Sequence, residues 1–552
     1  MLSRLPAAAL AALGRRLAAE WRASALHRMA IAGPGAAGLA TRPRDFRPGD
    51  PLAGAHLLRG EFVFYGEGLQ LAPGGDPWRR AAPNRRYAIA LHDFRWARSL
   101  LTAGEPGARD LLRYWLEWRR LFGRFNAFAW SGAVLERRLY NLACGGAAIL
   151  PLASEAEAAA FADDLARQAR HLLGEPGGGR AAERLAVAAI VGVAVGGRAG
   201  EQLLTRALPR LSDVIADAVR PDGVHGSRAP ERGLELLFDL LTLDDALAQA
   251  GAPAPTAVAR AIDRLAAGTR LLTLGKARLV SFHGGEAGSP QQVATALELE
   301  AARGEPVKSA IYGRYHRLEG RSLALLADTG APPGDPWAGS ACAQPAAIAI
   351  SIEGRPLVVG SAWSAKAEVG GLLRGPAGGS CLALGGHWPA AALRRGLAAG
   401  EDAARLELGP IDVRAERQGS GDETWLEVVH DGWLVLGFEA TRRLYVDYAT
   451  DELRGEEILA PAGRARPLAA EAMVRFHLAP GVAAQVAVDG RSAVLRPPGA
   501  RGWRLRSDAG MRLDPGVVFE EGEPRAAQVL ILAAPTGADG LRIRWKLARD
   551  EG

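Results

Sequence analysis

The chain has 552 residues, 48% hydrophobic and 23% charged, which allows two to four domains with sizeable cores. Its formal charge is +6 and its pI about 9.4, but it has no lysine-rich tail or recognised DNA-binding motif, so we expect no nucleic-acid partner. Three widely spaced cysteines, Cys144, Cys342 and Cys381, argue against a disulfide framework or a cysteine metal site, so we expect buried thiols, no metal and no cofactor.

The N-terminus predicts a helix rather than a targeting segment. Residues 1–30 are amphipathic and arginine-rich, and together with a Gly/Pro-rich linker they form a first segment, residues 1–45. The apolar run is short, closes at Arg15 and Arg16, and lacks a clean cleavage site. We therefore expect the helix to pack on the main domain, with no membrane-spanning segment and a cytoplasmic location. A periplasmic route remains open, and the oligomeric state is not predicted.

The next part of the chain predicts a helical domain, residues 46–303. A small hairpin is expected over 59–71, and the chain then reads almost wholly as helix from 87 to 302. Short loops favour antiparallel neighbours that curl into an incomplete α/α toroid. The helices are predicted over 91–101, 107–122, 132–150, 155–173, 182–195, 201–219, 230–250, 255–272 and 289–302.

Composition shifts near residues 304–308, and short alternating runs follow. Their turn spacing predicts an antiparallel β-sandwich over residues 304–552. Helices first and strands second indicate an α+β protein of two domains, with a ligand cleft expected between them. The predicted strands lie within 321–330, 346–360, 380–386, 404–418, 424–448, 473–497, 502–508, 526–535 and 540–548.

One loop concentrates charged groups where a helix restarts. The stretch Asp222–Arg232 reads DGVHGSRAPER, and the helical pattern resumes near Pro230. Charged groups on such a turn are held rigidly yet remain accessible. The alternative is a solvated interhelical loop in which Arg228 and Arg232 pair with Glu231 or Glu235.

Several motifs occur in order along most of the chain. They are FRPGDP (46–51), LHDFRWARSL (91–100), DGVHGSRAPERGLELLFDLL (222–241), YHRLEGR (315–321), VVHDGW (428–433), RRLYV (442–446) and RFHLAPGV (475–482). With these motifs the chain resembles the heparinase II/III-like polysaccharide lyases, particularly the bacterial branch of unassigned substrate. The resemblance implies a helical toroid with an antiparallel β-sandwich. It also implies β-elimination beside a uronic acid in an acidic poly- or oligosaccharide.

Such chemistry needs a base for the C5 proton, a polar clamp for the sugar carboxylate and an acid for the leaving oxygen. The resemblance aligns His225 with the family's catalytic His or Asn. Where characterised lyases carry a Tyr, this chain has Phe282–His283, so His283 is the second catalytic candidate. Tyr315, at a family strand position, is the third. Two of them have a structural alternative: His283 as a loop histidine, and Tyr315 as a core or interface phenol.

The candidates for substrate binding are more dispersed. Arg228 and Arg232 could clamp a carboxylate or sulfate. The others are Glu286 in the Gly-rich turn 281–290, Trp130 in a loop where it could stack on a sugar, Tyr312, and His430, which could line the cleft. Trp115 is expected in the core, and His477 is expected to be a satisfied strand histidine.

The sequence also departs from the family pattern. The stretch 340–354, which matches a histidine-rich turn of the family, contains no His, and Gly379 stands at the position of a later family His. Gly and Ala can neither transfer protons nor bind a metal. Two hypotheses therefore compete: a lyase acting on a uronate-containing glycan, and a catalytically degenerate glycan-binding protein of the same fold. Nucleic-acid binding rests on net charge alone.

Overall fold

The computed structural model describes residues 5–275, 277–299, 307–366, 371–389, 391–395, 404–408, 411–420 and 422–550. The chain divides into two compact units. Unit 1 comprises Met1–Ala218 and Glu235–Asp263, and unit 2 comprises Val219–Leu234 and Arg264–Gly552. The loop that carries His225 therefore belongs to the same unit as the strands. The domain boundary expected at 303/304 lies outside the described residues.

The helices follow the periodicity of the sequence closely. They are α1 (Leu5–Ala23), α2 (Ala25–Ala32), α3 (Pro51–Leu58), α4 (Arg85–His92), α5 (Ala97–Leu101), α6 (Glu105–Phe122), α7 (Gly132–Ile149), α8 (Glu155–Leu173), α9 (Ala181–Val195), α10 (Gly197–Ala218), α11 (Pro230–Gln249), α12 (Thr256–Leu271) and α13 (Pro290–Glu298). Local signals set several ends: Ser154 and Glu157 form a capping box at α8, and Pro230 opens α11 as predicted.

Two helix predictions were wrong in their boundaries. The single N-terminal helix is broken into α1 and α2, because the Ser24 hydroxyl caps the second helix by accepting from the His27 amide. The helix expected over 91–101 is instead α4 and α5. The turn between them contains Phe94, whose φ of 56° cannot continue a helix.

Unit 1 buries aromatic side chains and an ion-pair network. Trp115 and Trp118 are almost fully buried. Helix α2 packs on α8, where the Nε2 of His27 lies 2.8 Å from the Nδ1 of His171. The Asp239 carboxylate accepts from Arg47 at 2.8 Å and from Arg137 at 2.5 Å. The predicted hairpin is confirmed, with β1 (Glu61–Phe64) antiparallel to β2 (Glu67–Gln70).

Unit 2 contains two large antiparallel sheets. Its strands are β3 (Thr273–Leu274), β4 (Arg278–Leu279), β5 (Ser309–Ala310), β6 (Tyr315–Glu319), β7 (Leu323–Asp328), β8 (Ile348–Ile352), β9 (Arg355–Val359), β10 (Leu382–Leu384), β11 (Ala391–Arg395), β12 (Ala404–Leu408), β13 (Val413–Ser420), β14 (Glu423–His430), β15 (Phe438–Asp447), β16 (Glu452–Pro461), β17 (Glu471–Leu478), β18 (Ala483–Val486), β19 (Ser492–Arg496), β20 (Trp503–Ser507), β21 (Gly510–Glu520), β22 (Glu523–Pro535) and β23 (Leu541–Arg549). One sheet has the order β21-β22-β17-β9-β8-β7-β6-β5, with β10 beside β17, and the other β13-β14-β15-β16-β23-β20-β19-β18.

The inward faces of these two sheets share one apolar core. Leu325 and Ile350 from the first sheet join Leu444 and Trp545 from the second. Strand β15 alternates strictly between buried and half-buried side chains, which is the pattern of a strand with one buried face. The antiparallel β-sandwich is therefore present in unit 2. No helix within the described residues is long and apolar enough to cross a membrane.

Candidate functional site

The loop that carries His225 is held by backbone contacts within unit 2. Val219 and His225 form an isolated antiparallel bridge. Gly223 has a φ of +82°, and a Cβ there would lie 1.7 Å from the Arg264 carbonyl oxygen, so only glycine fits. The Asp222 carboxylate accepts from the backbone amides of Tyr312 at 2.6 Å and Gly313 at 2.8 Å. These contacts fix the loop against the segment that leads into β6.

The His225 ring is buried and its Nδ1 is already an acceptor. The backbone N–H of Ser227 donates to this nitrogen at 3.1 Å, and the Ser227 hydroxyl lies 2.7 Å from it. A nitrogen that accepts from a peptide N–H carries no proton, so the ring proton lies on Nε2. The Trp337 ring packs against the imidazole edge to face, with centroids 6.1 Å apart. In this state the basic lone pair of His225, on Nδ1, is occupied by the Ser227 N–H.

Arg228 lies inside a protein-made cage. Its guanidinium donates to the carbonyl oxygens of Gly313 at 3.1 Å and Ala331 at 2.6 Å and forms an ion pair with Asp328. The backbone φ of Arg228 is 58°, a left-handed conformation that persists only where the surroundings impose it. The alternative pairing with Glu231 or Glu235 is replaced by one with Asp328. Burial lowers the pKa of Arg228, but the Asp328 carboxylate more than offsets this, and the net direction is upward.

His283 meets the same carboxylate from another loop. Its Nε2 lies 2.6 Å from Asp328 Oδ2, and its Nδ1 accepts a long hydrogen bond of 3.5 Å from the Cys342 amide. Burial lowers the pKa of His283, and Asp328 reverses only part of that effect. The neutral ring therefore carries its proton on Nε2, facing Asp328, and directs its lone pair at the Cys342 N–H. Like Arg228, His283 has a left-handed φ, of 50°.

Asp328 is the centre of this cluster, and sequence reasoning missed it. It ends β7, where the apolar run LALLA meets a Thr-Gly turn, and a carboxylate that terminates a buried strand is the signal that was available. Burial raises the pKa of Asp328, but Arg228, His283 and the Gly330 amide lower it further, so the carboxyl stays ionised. We call His225, Arg228, His283, Tyr315 and Asp328 the buried cluster.

The two tyrosines differ in exposure. Tyr315 is fully buried, stacks on Phe282, and donates from its phenol to the Arg228 carbonyl oxygen at 2.6 Å. Burial raises the pKa of the Tyr315 phenol well above its ordinary value. Tyr312 is 62% exposed, and its backbone amide donates to the Asp222 carboxylate of the loop. Tyr315 therefore matches the core phenol described as its alternative.

Glu286 belongs to a neighbouring group of polar side chains. Its carboxylate accepts from the Ser364 hydroxyl and, at 2.9 Å, from the Gly522 amide. Burial raises the pKa of Glu286, and the nearby Lys366 offsets part of that rise. Glu231 pairs with Lys366 and accepts from the Glu286 amide at 3.0 Å. Arg232 is half-buried in the first turn of α11.

Two other candidates lie in cores rather than on a binding surface. Trp130 is only 1% exposed, and its indole N–H donates to the Phe122 carbonyl oxygen at 2.8 Å within unit 1. His430 faces the interior of the sandwich on β14, where burial and then Arg442 lower its pKa to about 4. The His477 ring is also buried, and its Nε2 donates to the Ala377 carbonyl oxygen at 3.0 Å.

The position of the missing family histidine is filled. A Cβ on Gly379 would lie 2.9 Å from the side-chain carbons of Gln344. The Gln344 amide donates to the carbonyl oxygens of Leu373 at 2.8 Å and Gly375 at 3.0 Å, which locks it there. Across the residues that the structure describes, no group of three or more His, Cys, Asp or Glu is arranged to hold a metal ion.

Comparison with known proteins identifies a matching family model and a relative that covers almost the whole chain. The family model described as heparinase II/III-like, C-terminal, matches residues 302–546. FtsZ-localized protein C of Caulobacter vibrioides is 41% identical over 543 residues, which covers 97% of this chain and 94% of that protein.

Solved structures extend the likeness to most of the chain. A crystal structure of heparinase III matches with a TM-score of 0.69 at 12% identity, covering 91% of this chain and 84% of that one. A mutant of the heparan sulfate lyase HepC from Pedobacter heparinus matches with a TM-score of 0.60 at 10% identity, covering 93% and 86%.

The fold class is thus the one expected from sequence, an α/α toroid followed by an antiparallel β-sandwich. The chain belongs to the heparinase II/III-like family.

Proposed function

We propose that this chain is an FtsZ-localized member of the heparinase II/III-like family that does not cleave glycans. One observation carries the non-lytic part: the basic lone pairs of His225 and His283 accept hydrogen bonds from the backbone amides of Ser227 and Cys342. The identity of 41% with FtsZ-localized protein C over nearly the whole chain supports the FtsZ-localized part. The cytoplasm remains the compartment that we propose.

β-Elimination fails without a base for the C5 proton. The Tyr315 phenol cannot replace the imidazoles, because it is buried, its proton is donated to the Arg228 carbonyl oxygen, and its pKa is raised. The Arg228 guanidinium is bonded to Asp328 and to backbone carbonyl oxygens, so it does not clamp a sugar carboxylate. Gln344 fills the space beside Gly379 where the family carries a histidine.

The competing function is the lyase implied by the family, acting on a uronate-containing acidic poly- or oligosaccharide. Incubation with heparan sulfate separates the two, because β-elimination creates an unsaturated uronate that absorbs in the ultraviolet. We expect no rise in absorbance with this chain and a rise with heparinase III as the positive control. A rise that disappears in His225→Ala and His283→Ala would overturn the non-lytic proposal.

Localisation is tested in living cells of the organism that carries the chain. A fluorescent fusion expressed with labelled FtsZ is expected to coincide with the FtsZ signal and to disperse when FtsZ is depleted. A fusion that stays diffuse while FtsZ remains assembled would contradict this part of the proposal. His283→Gln, which disturbs only the buried cluster, serves as a variant whose localisation should be unchanged if the protein remains folded.

A further inference from the structure

The outward face of the eight-stranded sheet forms an open basin of about 910 Å³. It is lined by side chains from β13, β14, β15, β16, β20 and β23, together with Asp508 just after β20. These side chains alternate with the inward residues of the sandwich core, as on β15, where Arg443 and Tyr445 point outward between buried Arg442, Leu444 and Val446. The basin therefore lies on the opposite face of this sheet from the core.

The strand register arranges the basin in two rows. The first row runs across six strands, and each member is paired with the next in the ladder: Gln418, Trp425, Tyr445, Arg454, Lys546 and Arg506. Neighbouring strands lie about 4.8 Å apart, so this row spans roughly 24 Å. It presents two aromatic rings followed by three long cationic side chains. An extended ligand laid along the row would meet an apolar platform at one end and hydrogen-bond donors at the other.

The aromatic platform is exposed. The Trp425 and Tyr445 rings pack with centroids 4.8 Å apart and planes inclined by 51°. Trp425 is 49% exposed, in contrast to the buried Trp433, Trp503 and Trp545 of the same unit. An indole face at the surface keeps an apolar area in contact with water, and covering it with a ligand that has its own apolar face is favourable.

The second row supplies both donors and acceptors. It contains Glu416, Glu427, Arg443, Glu456 and Arg544, paired in the same ladder. Arg443 lies 2.5 Å from Glu427 and 3.3 Å from Glu456, and Arg544 also lies 3.3 Å from Glu456. Ion pairs this exposed contribute little to stability and are open to competition from a ligand.

The charge balance of the basin decides what it can bind. Six cationic and five anionic side chains line it, so the surface does not attract polyanions strongly. Guanidinium donors alternate with carboxylate acceptors, which suits groups that both donate and accept hydrogen bonds, as hydroxyls do. The backbone groups of the central strands are used in the ladder, so recognition on this face depends on side chains. This combination favours a hydroxyl-rich ligand with apolar ring faces over an acidic peptide or a nucleic acid.

We propose that the basin binds a short, uncharged oligosaccharide, with Trp425 and Tyr445 stacking on sugar rings. The second row, with Arg454 and Lys546, bonds the hydroxyl groups. This site is separate from the buried cluster, and it differs from an acidic-glycan cleft in the charge of its ligand. The inference does not rest on the proposed FtsZ localisation or on the absence of lyase activity.

Isothermal titration of the full chain with maltohexaose, cellohexaose and chitohexaose tests the proposal. We expect at least one of these neutral probes to bind, with an affinity that hardly changes between low and high salt because no charged ligand group is screened. Trp425→Ala should weaken that binding by about tenfold, and Trp425→Phe should restore part of it. Tyr448→Ala is the matched control, because Tyr448 is 45% exposed in the turn that follows β15 and does not line the basin.

Three results would overturn the proposal. One is that none of the neutral probes binds. Another is binding that Trp425→Ala leaves unchanged while thermal melting shows both proteins folded. The third is binding only to heparan sulfate, an acidic peptide or DNA, lost at high salt, which would assign the basin to an anionic partner instead.

Discussion

Two polar regions of unit 2 use the same kinds of side chain in opposite ways. In the buried cluster, Arg228, His283 and Asp328 are all at most 5% exposed and bond to one another or to backbone. In the surface basin, Arg443, Arg454 and Glu456 form ion pairs that water reaches. A low-dielectric interior makes the first set costly to disturb, whereas solvent makes the second easy to exchange for a ligand. Accessibility, rather than residue type, therefore separates a structural cluster from a candidate binding surface.

The largest expected effect comes from removing the centre of the buried cluster. Asp328→Ala leaves the Arg228 charge buried without its partner, which should lower the free energy of unfolding by about 3–5 kcal/mol. Denaturant unfolding followed by tryptophan fluorescence measures this change. The matched control is Asp514→Ala, whose side chain is 43% exposed and whose loss should cost less than about 0.5 kcal/mol. Equal effects would mean that the cluster is solvated and open.

The second largest effect is the loss of stability on acidification that two buried histidines should cause. Burial lowers the pKa of both His430 and His477 to about 4, whereas an unfolded histidine titrates near 6.5. Between these values the unfolded chain binds more protons, so stability is greatest above about pH 6.5 and falls toward pH 4. From pH 7 to pH 5 each buried ring should lower the free energy of unfolding by about 2 kcal/mol.

Unfolding curves of the wild type and of His430→Gln/His477→Gln at pH 7 and pH 5 measure this loss. The double variant should lose less on acidification than the wild type. The same pH response in both proteins would contradict the burial of these rings.

A smaller effect on stability is expected at Gly455, on the core side of the sheet that carries the basin. A Cβ on Gly455 would lie 2.0 Å from the ring of Trp545, which is paired with this glycine in the ladder. Gly455→Ala should therefore destabilise the protein by about 1–3 kcal/mol through overpacking. Gly386→Ala is the control, since a Cβ there meets nothing within 4 Å. If melting temperatures show Gly455→Ala to be neutral, the sandwich core tolerates more movement than this packing implies.

The smallest expected effect lies on the basin itself. A double-mutant cycle of Trp425→Ala and Tyr445→Ala should give a coupling energy of about 0.5–1.5 kcal/mol for the aromatic pair. Urea titrations of the four proteins measure it. A coupling energy of zero would indicate that the two rings do not pack in solution. It would contradict the aromatic platform proposed for the basin.

Most of the fold was predictable from sequence, and the failures have local causes. Strand β16 was missed because its inward positions include Gly455 and Glu457, while its outward positions include the apolar Ile458, which weakens the alternation. Strand β21 was missed because it contains Pro515 and Gly516. It lies at the edge of its sheet, where a missing N–H is tolerated.

The site was harder to predict than the fold. The sequence identified His225, Arg228 and His283 as a group, and the structure brings Arg228 and His283 to one carboxylate. The only sequence signal for Asp328 was a carboxylate at the end of a buried strand, and its contacts with Arg228 and with His283, about 45 residues earlier, depend on tertiary packing. The burial of individual side chains could not be predicted either. Trp130 lies in a loop that the sequence suggests is exposed, but its indole is buried inside unit 1. The basin was missed because its rows form only once the strand register is known.

The central claim is that the imidazoles of the buried cluster have no accessible basic nitrogen. Diethyl pyrocarbonate, which reacts with unprotonated and accessible histidine nitrogens, tests it directly when the modified residues are mapped by mass spectrometry. We expect rapid modification of His387, which is exposed, and none of His225 or His283 while the protein stays folded. Modification of either buried ring at the rate of His387 would contradict the account.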